Sequence, residues 1–400
     1  MVKKSIVLFG TGLEAEKFYC NYQNQYEIEF AIDNYRNNKK YHKLNVYTLD
    51  EVKDFLLNKY IVVASLEDRY EEIKQLLKEC GLVEFKNFVF VKWFDKKIAM
   101  LYGNCHIGAI EKMLNNNQQF TRTYATRFFC LNEGLTNQKY PTLEDVLSAD
   151  LIICHDVQKG NKLNAPDYEW IKEHSRKDCR VIVIPNIWGI NFIWPQVIID
   201  RRSFEELSRE NHIKNTAISE IESRSTEEQQ RIWRVTGGLI GHHDKFIEDN
   251  ISLDIDDLIQ RIKYENIWGE DVIKELFNNG LLKLKSREEK CDVKISEYIK
   301  RNIGNMQLFY DEGHPHENLL REKTRQILKI INISPDSKSL NVIANIDAEE
   351  LFVYGCVKKA LNMEWEQDYI RVNNSTYTLE GHALNLYEFV YAYKAWMYTE

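Results

Sequence analysis

Apolar runs alternating with helix-period segments set the pattern of the N-terminal part of the chain. "SIVLF" (5–9) is continuously apolar after its serine and ends on "GTGLEA", behind which Phe18 and Tyr19 recur at helical spacing. A strand, a glycine turn and a helix are predicted there. "YEIEFAIDN" predicts a second strand ending at Asp33, and "YIVVAS" (60–65) a third. "RYEEIKQLLKECG" follows as an amphipathic helix with Ile73, Leu76 and Leu77 on one face and Gly81 as its stop. "NFVFVKWF" (87–94) supplies one more strand. Strands alternating with helices build a parallel sheet covered by helices, so the class is α/β.

The pattern restarts at Lys97 with "KIAMLYGNC", and "ADLIICHD" (149–156) and "RVIVIPN" (180–186) are apolar throughout, as strands buried on both faces are. Between about 200 and 300 the chain turns charged, in "SEIESRSTEEQQRIWRV" and "DIDDLIQRIKYENIWGEDVIKELF", which predicts a large helical insertion or cap. "MQLFYDEGHP" then reads as a strand running out to Pro315. Pro315 is expected at the first helical position of "HENLLREKTRQILKII", whose Leu319, Leu320, Ile327, Leu328 and Ile331 share a face. Two units are expected, residues 1–95 with a small parallel sheet and residues 96–400 with a second α/β sheet carrying the insertion.

Composition narrows the function classes. The chain has 400 residues, 44% of them hydrophobic and 28% charged, with a formal net charge of -8. That balance argues against nucleic acid, which needs a concentrated Lys/Arg surface to displace counterions. Gly10 and Gly12 cut the first apolar run short of a signal-peptide core, and no later run reaches spanning length. Eight cysteines without a CxxC pair indicate neither a disulfide framework nor a zinc ribbon, so a cytoplasmic protein is expected. Metal is not expected either. "GHHDK" (241–245) and the pair His314 and His316 have ligand chemistry, but adjacent His242 and His243 in a helix would point about 100° apart.

Two places carry chemistry. Gly10-x-Gly12-x-x-Ala15 after a strand, with Asp33 ending the next, has the layout of a nucleotide fingerprint: glycines admit a phosphate to the backbone and the acid holds a ribose hydroxyl. The same turn can also need small residues for packing alone. In "LYGNCHIGAIEKML", Cys105 stands where a strand meets a helix defined by Ile107, Ile110 and Leu114. The positive helix end there favours a thiolate, and the Cys105 amide with the Asn104 side chain can receive an oxyanion. A nucleophile wants a base, and His314 in "YDEGHPHE" is expected at the same sheet edge, with Asp311 three residues earlier to orient its imidazole. Gly103, Asn104, His106, His155 and Asn186 are the accompanying oxyanion or substrate-binding candidates. A cysteine at such a turn can equally be a small buried hydrophobe. Trp188, Phe192 and Trp194 are read as packing.

Three resemblances attach to these residues. The first 95 residues resemble the small Rossmann-like domains fused to sugar-modifying and polysaccharide-biosynthesis enzymes, which implies a nucleotide or nucleotide-sugar at Gly10, Gly12 and Asp33. A nucleophile after the first strand with Asp-x-x-His after the last resembles the SGNH hydrolase superfamily, with Cys105 where serine is usual. The closer resemblance, over roughly residues 97–332, is to the WcbI family of capsular polysaccharide biosynthesis acyltransferases. It is carried by "LYGNCHIGAIEKML", "SADLIICHDV", "VIVIPNIWG", "LKSREEKCDVKISEYI" and "LFYDEGHPHENLLREKTRQIL". That resemblance implies an SGNH-like protein that binds coenzyme A and O-acetylates a sugar, with Cys105 and His314 as the reactive pair. It also implies a polysaccharide-precursor acceptor and other enzymes of the same biosynthesis as partners. His106 departs from the glutamine expected after the cysteine, and the N-terminal unit is an addition to the minimal family pattern. An esterase or thioesterase, a non-catalytic binding module and, less well supported, an NAD-dependent oxidoreductase are the alternatives.

Overall fold

The structure is a computed structural model that describes residues 4–35, 39–131, 140–161, 164–187, 193–199, 242–311, 313–341, 350–371 and 383–397. It is an α/β protein with two parallel sheets. The first contains β1 (Ser5–Phe9), β2 (Glu27–Ile32), β3 (Lys40–Tyr41), β4 (Leu44–Tyr47), β5 (Ile61–Val63) and β6 (Phe88–Phe90) in the order β3-β4-β2-β1-β5-β6. Every pairing is parallel except the β3–β4 hairpin. The helices α1 (Leu13–Tyr22) and α2 (Glu67–Glu79) bury Ala15, Phe18 and Tyr19, and Tyr70 and Leu77. Helix α2 stops as expected: Gly81 takes a positive φ of 78°, and the Leu82 N–H reaches back to the Leu77 carbonyl.

The second sheet holds β7 (Lys97–Gly103), β8 (Tyr124–Cys130), β9 (Leu151–His155) and β10 (Arg180–Ile184), all parallel, in the order β10-β9-β7-β8. Along β7 the side chains alternate between two cores. Ala99 and Leu101 face a layer with Ile107, Ile110 and Met113 of α3 (Cys105–Asn115), whereas Met100 and Tyr102 face Val146, Tyr168 and Ile171. Burying each of these large apolar side chains contributes about 1.5–3 kcal/mol. The free edge of β10 is closed by Asp292, whose N–H donates to the Val183 carbonyl while its carboxylate accepts the Val183 N–H.

Several expectations are corrected. Strand β8 was not foreseen, because Thr126 and Arg127 interrupt its apolar pattern at the edge of the sheet. Among the described residues of 306–315 there is no strand: Phe309 and Pro315 form an isolated antiparallel bridge, and the Tyr310 N–H donates to the His314 carbonyl. The next helix, α6 (Glu317–Ile330), is capped by His316, so Pro315 precedes the cap instead of opening the helix. His242 and His243 lie in a short strand, His242–Asp244, so the helical geometry assumed for them does not hold. Within the expected insertion, helices α4 (Ile255–Tyr264) and α5 (Glu270–Glu288) are present, while residues 200–241 lie outside the described residues, as do Trp188 and Phe192. Trp194 is buried in the core.

Candidate active site

Strand β7 ends at Gly103, and the reason for glycine there is steric. A Cβ would lie 2.4 Å from His155 Nδ1 and 2.6 Å from Ile107 Cγ1, both fully buried side chains. The strand can therefore turn sharply against the end of β9. Asn104 caps α3: its side-chain oxygen accepts the His106 N–H at 3.1 Å, and its amide donates to Asn186 Oδ1 at 3.2 Å. Its backbone N–H donates to His155 Nδ1 at 3.2 Å. Asn104 is thus a strut tying β7 to the ends of β9 and β10, more than the open oxyanion donor the sequence suggested. Cys105 follows as the first helical residue, half-buried and at the positive end of α3.

The turn before α6 brings His314 to this point. Asp311 Oδ1 accepts the N–H groups of Gly313 and His314, each at 2.7 Å, and Oδ2 meets His314 Nδ1 at 2.7 Å. One buried carboxylate therefore fixes both the turn and the ring. Behind it the Tyr310 hydroxyl donates to the Glu317 carboxylate, which braces the turn on α6. With Nδ1 engaged, Nε2 is the nitrogen left to face Cys105. Ligand atoms of Cys105, His106 and His314 all lie within 4.8 Å of one another. Burial pulls the His314 pKa down, but the hydrogen bonds and charges of Asp311 and Cys105 outweigh it and push the value up to about 10.

Cys105 and the Asp311–His314 pair, far apart in sequence, are thus brought together. His106 and His155 lie against them, with ring centroids 5.9 Å between His106 and His314 and 5.8 Å between His106 and His155. Burial holds both well below the ordinary histidine value, and the nearby Lys323 cation adds to the effect. Asn186 donates its backbone N–H to Asp156, and Arg287 grips that carboxylate through two 3.1 Å bonds. Cys154 and Cys291 are different: burial pushes both thiols up, Cys291 to about 12, which makes them packing residues.

Sequence reasoning missed Arg287 and Lys323. Lys323 had a signal: it occupies the stripe of Leu319, Leu320 and Ile327, where a solvated lysine does not belong.

The glycine turn of the first sheet lies elsewhere. Gly10 has φ 108°, and a Cβ would come within 2.5 Å of the Ala64 carbonyl oxygen, so the strand–helix corner demands glycine. Nothing lies within 4 Å of a Cβ at Gly12. Asp33 accepts from the Thr11 hydroxyl and, at 3.0 Å, from the Tyr35 N–H. Two clefts, of about 1250 and 910 Å³, open where the two halves of the chain meet, and neither is lined by Cys105 or His314.

A family model described as polysaccharide biosynthesis enzyme WcbI matches residues 98–216 and 241–336, together more than half of the chain. A solved structure of WcbI is similar in fold, with a TM-score of 0.51 at 15% identity, over 76% of this chain and 91% of that one. That structure is described as a novel polysaccharide biosynthesis enzyme, in its native form without a disulfide bond between coenzyme A and one of its cysteines. No curated protein matches the chain. Among the described residues no helix is long and apolar enough to cross a membrane.

Proposed function

This chain belongs to the WcbI family of polysaccharide biosynthesis enzymes, and on that premise we propose that it is an acyltransferase that moves an acyl group, most simply acetyl, from coenzyme A to a sugar hydroxyl of a polysaccharide precursor. The observation that carries the reading is the meeting of Cys105 with the Asp311–His314 pair at the start of α3. Support for the donor comes from the similar WcbI structure, described as the native protein without a disulfide bond between coenzyme A and a cysteine.

The charge state of His314 favours a covalent route. An imidazole held protonated near neutral pH is a poor base for direct attack by a sugar, but it is the right partner for a Cys105 thiolate. The thiolate attacks the thioester carbonyl, the tetrahedral oxyanion meets the Cys105 N–H at the helix start, and the C–S bond to coenzyme A breaks. His314 gives its proton to the departing thiolate. Now neutral, it takes the proton of the sugar hydroxyl as that oxygen attacks the acyl-cysteine, and Cys105 leaves as the thiolate paired with His314 again. Asp311 holds the ring throughout.

Calorimetry of acetyl-CoA binding and release of free thiol, by wild type and Cys105→Ala, test this reading. Binding by both with turnover only by wild type is expected. A folded wild type that neither binds nor consumes acetyl-CoA would refute it, and turnover that no added saccharide accelerates would make the protein a thioesterase.

A further inference from the structure

His106 has no part in the reaction drawn above, yet it stands beside both reacting groups. Cys105 and His106 are neighbours on a helix and diverge by about 100°, and the turn that carries His314 fits into that angle. One ligand atom from each of the three side chains lies within 4.8 Å of the other two. The His106 and His314 rings meet edge to face, with centroids 5.9 Å apart and planes at 74°. Among the described residues this is the one group of three or more Cys, His, Asp or Glu side chains so arranged. His106 and His314 meet only through the fold, which is why the sequence pattern pointed away from a metal.

Both rings are prepared as ligands. His314 holds Asp311 through Nδ1 at 2.7 Å, which fixes the ring angle and leaves Nε2 to face Cys105. A carboxylate behind the imidazole is a usual support of a metal-bound histidine. His106 is 1% exposed, and its Nδ1 is buried without a hydrogen-bond partner among the described residues. A buried polar atom left bare is costly, and a bound cation removes that cost.

The dimensions and the donor set suit zinc. Bonds of about 2.3 Å to sulfur and about 2.0–2.1 Å to nitrogen place tetrahedral ligands roughly 3.3–3.6 Å apart, so side-chain rotations of roughly 1 Å close the present spacing. Three protein ligands leave a fourth position open for water or an anion. Magnesium and calcium take oxygen ligands, whereas one thiolate and two imidazoles match a softer ion. Charge balances as well, because the Cys105 thiolate and the Asp311 carboxylate together cancel the two charges of the ion.

We infer that Cys105, His106 and His314 form a zinc-binding tripod, and that the bound ion holds the protein inactive by taking the sulfur and the imidazole that acyl transfer needs. The inactivation rests on the acyl-transfer reading, and the binding of the ion does not. Zinc accepts a lone pair from the sulfur and from each imidazole, and the proton that the Cys105–His314 pair held goes to solvent. A chelator returns the free pair.

Cobalt(II), which reports a thiolate ligand by a sulfur-to-metal absorption band, is titrated into the metal-free full chain and then displaced by zinc. One bound equivalent with that band is expected, and Cys105→Ala should lose the band. Zinc should protect Cys105 from iodoacetamide, and EDTA should undo the protection. Asp311→Asn, behind the ligands, should weaken zinc binding about 10- to 100-fold, and His106→Ala, a ligand itself, more than about 100-fold. Wild type that binds no ion would overturn the inference, as would a sulfur band that survives in Cys105→Ala or zinc binding by His106→Ala as tight as wild type. If a variant does not fold, the wild-type band and the protection of Cys105, located by mass spectrometry of the alkylated peptide, decide. Zinc protection without any acetyl-CoA turnover by the zinc-free wild type sinks the acyl-transfer reading and leaves the tripod standing. Turnover that zinc does not touch sinks the tripod and leaves acyl transfer standing.

Discussion

Asp311→Asn should disable the site in a way that its geometry makes calculable. The amide oxygen has only one place to go, because the Oδ1 position faces two N–H donors, from Gly313 and His314. The NH2 group is therefore forced into the Oδ2 position, 2.7 Å from His314 Nδ1. Nδ1 must then accept, the proton moves to Nε2, and the ring presents an N–H to a thiol it can no longer deprotonate. Restoring the working tautomer would mean turning the amide over against two backbone donors, at about 1–3 kcal/mol for each buried group left unsatisfied. The charge-assisted bond to the imidazolium is lost as well, about 1.5–3 kcal/mol. The lost bond alone sets the lower bound, and about 1.5–3 kcal/mol corresponds to roughly 10- to 150-fold, since each 1.4 kcal/mol is a factor of ten. The assay is the rate of Cys105 alkylation by iodoacetamide at pH 7, with Cys105→Ala as the blank, which reads the thiolate without an acceptor. Thermal stability gives an independent sign check. His314 has a folded-state pKa raised to about 10, so its stabilisation is fully present below about pH 6.5 and is lost as pH rises through about 10. The melting difference between wild type and Asp311→Asn should accordingly be largest near pH 6 and shrink by pH 10. Alkylation within threefold of wild type, or a difference that grows with pH, would refute the reasoning.

Three further outcomes are expected. Gly103→Ala drives a methyl into His155 and Ile107, both fully buried, and should cost about 1–3 kcal/mol with loss of activity; a melting temperature unchanged within one degree would count against the close approach. Arg287→Met leaves the buried Asp156 carboxylate without its charge partner, and urea denaturation should show a loss of about 3–5 kcal/mol. Asp244 is buried at the turn into Lys245–Asp249, and burial raises its pKa to about 7. Its stabilising effect is complete below its unfolded value near 4 and disappears as pH rises through 7, so Asp244→Asn should melt higher than wild type at pH 8 and no higher at pH 4.

Strands whose burial is two-sided could be read directly: β1, β5, β7, β9 and β10 are continuous apolar runs because both faces are covered. The candidate site was readable for a different reason, since Gly-Asn-Cys and Asp-x-x-His are local signatures whose geometry is set within a few residues. What stayed hidden depends on contacts between distant segments. Arg127 makes β8 look polar, yet its guanidinium is enclosed by the rings of Phe85, Trp93 and Phe129 and paired with Asp145 at 2.8 Å. The segment "MQLFY" has strand composition, but Asp311 draws the chain into a turn before a strand can form.

The roof over β8 has a consequence for the chain as a piece of matter. Strand β8 is the open border of the second sheet, and the segment that stands over it, Phe85 to Trp93, comes from the first half of the chain. An uncovered border of this kind presents a row of unsatisfied peptide groups to whatever comes near. A chain shortened to begin at Lys97 would keep Cys105, His314 and Asp311, but it would strip Phe85 and Trp93 from Arg127 at the middle of that border. Two such borders can pair with each other, so self-association of the shortened protein is the expected outcome, read by light scattering.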